Sequence, residues 1–426
     1  MLPTGLQGWF AEAATEGRSP RRQANREGQV RGTCRKLFSG LMGFLAGTLV
    51  QASEPPVYIG LDAEFGHKTS TSAQAVQQGM EIAIAEINAR GGVLDGRPLA
   101  LVTTDNRSIP AVGVDNLRGL AAITDLVGVF GAKFSPVLIE WIPVAHEIGL
   151  PIFATWSSAN PVTDHHYRPS YTFRLSLKDD WAAPALLRFA ARHHGAERVG
   201  VLLPNTAWGR SNQAALAAAA PAAGVSIVGE RWYNWGDTTL LELYGELRAR
   251  GAQVLVMVAN EAEGSILVRE IAALPPEARL PIVSHWGITG GIMTELAGEA
   301  LHEVDLAVVQ TYSFIGADSP TARRVLQGMA ERYGISSAEA VESPVGVAHA
   351  YDLTHLLARA VEQAGSTNRD RVRDALEALG PYDGLVRRYD PPFTAERHDA
   401  LSPENVFMAR YTASGLLVPL PWSQGD

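Results

Sequence analysis

Beyond residue 56 the chain alternates short apolar runs with stretches whose apolar positions recur every three or four residues. The run VYIGL at 57–61 is followed by a polar loop over 64–75, and then Val76, Met80, Ala83, Ile84 and Ile87 repeat at helical spacing. Asn88, Gly91 and Gly92 are stop residues for that helix, and LALVTTD opens a strand that delivers Asp105 at its end. A strand, a helix and a second strand form a crossover that is right-handed in nearly all proteins, so the two strands lie parallel. The cycle repeats. LVGVF at 126–130 leads into GAKFSPVLIEWIPVAHEIG and LPIFATW, VGVLLP at 199–204 precedes an alanine-rich helix, AQVLVMVAN precedes AEGSILVREIAAL, and LPIVSHWG and LAVVQTYSF follow. Strands apolar on both faces between such helices predict an α/β fold with two doubly wound parallel sheets. Ile84, Ile87 and Asn88 are read as core and cap.

In open parallel sheets the binding crevice lies beyond the carboxyl ends of the strands. That rule selects the loops over 62–75, 105–110, 131–141, 155–163, 204–210, 259–265 and 284–290. They carry Ser135, Ser157, Ser158, Asn160, Asn205 and Asn260 beside Phe65, Phe134, Trp141, Trp156, Trp208 and Trp286. Any one of these rings could be ordinary packing. Grouped beside hydroxyls at strand ends, they describe a pocket for a small, partly apolar ligand.

A chain of 426 residues is long enough for two lobes, each with its own core. Before residue 53 the pattern differs. Arg35 and Lys36 precede the short apolar stretch LFSGLMGFLAGTLVQA, in which Val50 and Ala52 occupy the positions a signal peptidase reads. Residues 1–52 are therefore expected to be a leader and signal peptide cleaved after Ala52, which places the product in the periplasm. Cleavage removes seven basic and three acidic side chains and takes the formal charge from -9 to -13. Nucleic acid repels so acidic a surface. Cleavage also removes Cys34, the single cysteine, leaving a product with no disulfide to form.

Catalytic patterns are missing from the sequence. It holds no G-x-S-x-G elbow, no phosphate loop, no dinucleotide turn and no H-E-x-x-H helix. The adjacent pairs His165–His166 and His193–His194 do not have the i, i+4 spacing of helical metal ligands. A Ser-His-Asp site assembled in three dimensions is left open by sequence alone.

Five segments in order carry a specific resemblance. GMEIAIAEINARGGVLDGRPLALVTTDN, GAKFSP, ATWSSANPVTDHHYRPSYTFRLSLKDDW and NTAWGRSNQAAL, with SHWG further on, resemble blocks of the branched-chain amino acid (Leu/Ile/Val) binding family, the periplasmic receptors of ABC transporters with a type 1 binding fold. The likeness runs over roughly 55–415. It implies two lobes joined by three crossings near 174–181, 311–319 and 381–385, with lobe 1 formed by 57–175 and 312–380 and lobe 2 by 176–311 and 381–416. It further implies a small-molecule ligand between the lobes, ABC permease subunits as partners, contact with the membrane only through the permease, no cofactor, no metal and no catalysis. A regulatory sensor or a hydrolytic enzyme on the same scaffold is the alternative.

By that resemblance Ser135 and the Ser157, Ser158 segment would hold a ligand carboxylate, Phe65, Trp156, Trp208 and Asn260 would line the cleft, and Asp179 would meet an ammonium. Asp179 could equally cap a helix beginning near Trp181, and the serines could be helix caps. The family's glutamate in the loop SHWG is replaced by Trp286, which weakens the case for an ammonium. An amino acid or amide and an aromatic or other apolar carboxylate both remain open, as does which of Ser157 and Ser158 faces the ligand.

Overall fold

The computed structural model describes residues 55–421, so the expected leader lies outside the described residues. The first half runs β1 (Val57–Ala63), α1 (Ser72–Ala89), β2 (Leu99–Asp105), α2 (Pro110–Ala121), β3 (Leu126–Gly131), α3 (Ser135–Ile148), β4 (Ile152–Ala154) and β5 (Thr172–Arg174). The chain then crosses into α4 (Asp179–His194), β6 (Arg198–Pro204), α5 (Ala207–Ala223), β7 (Ser226–Tyr233), α6 (Leu241–Ala249), β8 (Val254–Met257), α7 (Glu261–Ala272), β9 (Ile282–Ser284), α8 (Met293–Ala297) and β10 (Leu306–Gln310). It returns through α9 (Pro320–Tyr333), α10 (Pro344–Ala364), α11 (Arg369–Glu377) and the short strands β11 (Tyr382–Asp383) and β12 (Arg388–Tyr389), and ends with β13 (Phe407–Tyr411) and β14 (Leu417–Pro419).

The first sheet has the order β2-β1-β3-β4-β5 and is parallel throughout. The second repeats that order as β7-β6-β8-β9-β10, then adds β13 and β14 as an antiparallel edge. Each sheet therefore reverses winding beside its first strand, which opens a crevice at the carboxyl ends of its central strands.

The turn after α1 follows its sequence. Gly91 and Gly92 have φ of 110° and 77°, a region that glycine enters without steric cost, and the Gly92 amide donates to the Ile87 carbonyl. Asn88 does more than stop the helix: its amide exchanges two hydrogen bonds, of 2.9 and 2.8 Å, with the backbone of Leu99 at the start of β2.

After α11 the chain packs back on the first lobe's elements. Leu385, Tyr389, Phe393, Ala400 and Leu401 are buried, and the last four join the apolar cluster built on β1, α1 and α10 of the first lobe. Asp352 of α10 holds the hairpin there. It accepts from the amides of Leu385 and Val386 at 2.6 and 2.9 Å and from the Tyr389 hydroxyl at 2.7 Å. Burial pushes this carboxyl up to about 6 against those three donors. Tyr389, Phe393, Ala400 and Leu401 thus pack with the first lobe's elements. Among the described residues, no helix is long and apolar enough to cross a membrane.

Candidate functional site

Both sheets point their carboxyl ends at one place. Lys133, Phe134 and Ser135 follow β3 and Trp156 and Ser158 follow β4, while Trp208, Trp235, Asn260 and Trp286 follow β6, β7, β8 and β9. With Pro136 and Gly287 these residues line a cavity of about 10 Å³. That is roughly the space of one water, where small-molecule sites run to about 300 Å³ or more. A solute enters only when the lobes part.

Indole rings form the walls. Trp156 of the first lobe and Trp286 of the second lie 5.3 Å apart between ring centres, and Phe134 meets the edge of Trp235 at 5.1 Å. Gly287 is required where Trp208 crosses it, since a Cβ there would stand 2.7 Å from the indole and 2.4 Å from the Ala259 carbonyl. Trp156 and Trp208 are 1% and 5% exposed, and their ring N–H groups find no acceptor in the protein. Such unpaired donors are uncommon and costly in a folded interior.

Around the cavity the lobes are pinned together. Lys133 donates to Glu261 of α7 at 2.7 Å and to the Gly290 carbonyl at 3.2 Å, with both ionic side chains essentially out of solvent. Glu261 also accepts from the Thr69 hydroxyl at 2.9 Å. Backbone bonds run from Thr71 to the Gly290 carbonyl and from Ile292 to the Thr69 carbonyl, and the Ser343 hydroxyl reaches the Thr289 carbonyl.

The structure brings Ser135, Trp156, Ser158, Trp208, Asn260 and Trp286 together as expected from their loops. It does not bring the other three there. Phe65 is half-buried against the first lobe's core. Ser157 turns its hydroxyl to the Ala132 carbonyl at 2.8 Å, so the serine facing the cavity is Ser158. Asp179 begins α4, is fully buried and does not line the cavity. It caps nothing with its side chain; it accepts from His285 Nε2 at 3.1 Å. The edge-on indole of Trp208, 5.1 Å away, covers that imidazole. Trp141, also in a selected loop, is a core residue.

Lys133, Glu261, Trp235 and His285 were not singled out by sequence. The strand-end rule selects the loops of Lys133, Glu261 and His285, but nothing in the pattern pairs Lys133 with Glu261 or His285 with Asp179.

The 155–160 loop is fixed from behind. The Thr155 hydroxyl donates to the Gly131 carbonyl, Ser176 donates to the Ser157 carbonyl, and Arg174 donates to the carbonyls of Ser158 and Ala159 at 3.2 and 2.9 Å. His349 donates from Nδ1 to the Thr155 carbonyl at 2.9 Å, so its Nε2 accepts from Thr311 in the second crossing at 3.1 Å. Burial lowers this imidazole from its ordinary 6.5 to about 4. The folded state therefore refuses a proton that the unfolded chain accepts, and stability is lost as pH falls from 6.5 toward 4. A His349→Gln variant should lose less of its thermal stability than the parent between pH 6.5 and 4.5. Equal losses in paired melting curves would mean that His349 is protonated inside the fold.

Comparison with known proteins follows the geometry. The family described as periplasmic binding protein matches residues 56–415. The Leu/Ile/Val-binding protein homolog 2 of Brucella abortus (strain 2308) is 21% identical over 387 residues, covering 89% of this chain and 98% of its own. A type 1 periplasmic binding protein from Bordetella pertussis Tohama I superposes with a TM-score of 0.75 at 20% identity, over 86% of this chain and all of its own. A solute binding protein of an ABC transporter from R. palustris, solved with benzoate, superposes at 0.72 with 16% identity, over 86% of this chain and 95% of its own. Among the described residues no cluster of His, Cys, Asp or Glu could hold a metal ion.

Proposed function

Since the chain belongs to the periplasmic binding protein family, we propose that it is the extracytoplasmic receptor of an ABC transporter, closing its two lobes on a small organic carboxylate and presenting it to the permease. It is a binding protein and not an enzyme. The observation that carries the ligand reading is the cavity wall: the hydroxyls of Ser135 and Ser158 and the amide of Asn260 stand beside the unpaired N–H groups of Trp156 and Trp208. Convergent neutral donors suffice to hold a carboxylate in a site closed to water, because each charge-assisted bond is about twice as strong as a neutral one. The indole faces fit an apolar body beside it. The names of the relatives, which cover Leu/Ile/Val and benzoate, have in common a small solute with a carboxylate and an apolar body.

Lobe closure supplies the signal. The paired contacts around Lys133 and Glu261 form only when the lobes meet, so a permease that reads the closed outline reads occupancy. We assign the leader over 1–52 to export on the same reading.

Native mass spectrometry of protein purified without refolding tests this proposal. The expected retained mass is that of an organic acid, and a sugar, polyamine or metal in its place would sink it. In titrations with the identified acid, Trp286→Ala should weaken binding by about 2 kcal/mol or more, the size expected for a central aromatic anchor. An unchanged Kd would remove Trp286 from the contact surface.

A further inference from the structure

Which acid the cleft takes is constrained by what its wall lacks. Every polar group the lining offers freely can donate: two hydroxyls, one amide and the three unpaired indole N–H groups of Trp156, Trp208 and Trp235. No carboxylate lines the cavity. The buried acids close to it are already engaged. Glu261 gives one oxygen to Lys133 and the other to Thr69. Glu263 accepts from the Gly236 amide at 2.9 Å. Asp179 gives one oxygen to His285, and its second, which finds no partner in the protein, is fully buried in a residue that does not reach the wall. The one cation of the wall, Lys133, stands inside the same cavity.

An ammonium placed there would have three N–H donors and no carboxylate to receive them. Burying a cation without full compensation costs several kcal/mol, and Lys133 already holds Glu261, the acid nearest the wall. Indole faces attract cations more weakly than that, by about 0.5 to 2 kcal/mol. We infer that the cleft discriminates against an α-ammonium, so that its solute is a carboxylic acid with an apolar body and no cationic group. This rests on the carboxylate reading of the site and names the class within it. His285 is a positioning residue here: it holds Asp179 by one carboxylate oxygen, in a place from which that acid does not reach the wall.

Matched pairs isolate the one group at issue. Calorimetric titration of the purified protein with 3-phenylpropanoate against phenylalanine, and with 4-methylpentanoate against leucine, compares solutes that differ only by the α-ammonium. Each acid should bind at least about tenfold more tightly than its amino acid, a difference of about 1.4 kcal/mol. Amino acids that bind as tightly as the acids, or more tightly, overturn the inference while leaving the carboxylate reading intact. If none of the four binds and the retained solute has no carboxylate, the carboxylate reading itself falls. Asp179→Asn should leave the acid-to-amino-acid ratio within about threefold of the parent. A selective loss of amino-acid affinity in that variant would place Asp179 on the ammonium and overturn the inference by a second route.

Discussion

Replacing Lys133 by methionine should leave the receptor open. Glu261 would then sit essentially out of solvent in the closed form with only the Thr69 hydroxyl beside its charge. Removing one partner of a buried ion pair costs about 3 to 5 kcal/mol, because the remaining charge has lost its compensation and still lacks water. Opening the lobes cures that defect, since it returns the carboxylate to solvent. The cost therefore falls on the closed state alone, and the equilibrium moves by about two to four powers of ten toward the open one. Small-angle scattering should show a larger radius of gyration for Lys133→Met than for the parent. The double variant Lys133→Met, Glu261→Leu, which removes both charges, should close again, because an apolar pair of similar volume is about as stable as the ion pair it replaces. Scattering curves that coincide for parent and single variant would show that the pair does not hold the lobes together. High salt should leave the parent closed, as a buried pair is little screened.

The backbone of this receptor is more legible than its site, for a physical reason. Strand, helix and turn are local events. The apolar run at 57–61, the helical period from Val76 to Ile87 and the paired glycines each act within a few residues, and each appears where its pattern put it. The strand-end rule extends that reach, because it converts topology into a choice of loops; seven of the residues named from those loops line the cavity. It failed where two side chains distant in sequence settle each other's role. Asp179 meets His285 across 106 positions, and Lys133 meets Glu261 across 128. Read alone, Asp179 is a helix cap or a ligand anchor, and the structure turns its side chain to His285. Neighbours can mislead equally: Ser157 and Ser158 are the same residue type one position apart, and the Ala132 carbonyl decides which of them is spent on the backbone. The packing of the 385–401 segment on the first lobe is hidden from the sequence for a similar cause. Asp352, which collects three donors from the 385–389 turn, carries no sign in its own helix that it will do so.

Arg174 is the residue whose loss should harm both the fold and the site. It is fully buried and donates to Asp399 at 2.6 Å, to the Thr163 hydroxyl and to the carbonyls of Ser158 and Ala159. One guanidinium thus ties the loop carrying Ser158 to the returning chain at 399, using a planar fork of donors that lysine does not have. Burial pushes the Asp399 carboxyl upward, yet the charges of Arg174 and Lys178 and its hydrogen bonds outweigh that and hold it below the ordinary carboxylate range. An acid lowered in the folded state contributes stability that is fully present above its unfolded value, near 3.9, and is lost only as pH falls through the lower folded value. The parent should therefore show no loss from Asp399 at any pH above about 4. In Arg174→Met the balance reverses, since burial then acts against only Lys178, 3.4 Å from the carboxylate, and the Thr163 hydroxyl, 3.0 Å from it. The variant should lose about 3 to 5 kcal/mol of stability at neutral pH, the usual cost of breaking a buried pair, and should recover part of it as pH is lowered toward 5 and Asp399 takes a proton. Its affinity for the retained acid should fall as well, because the Ser158 carbonyl loses its tether. Adding Asp399→Asn to the variant removes the stranded charge, so it should restore much of the melting temperature while leaving the affinity low. Recovery of both together would show that Arg174 serves the fold and does not position the Ser158 loop.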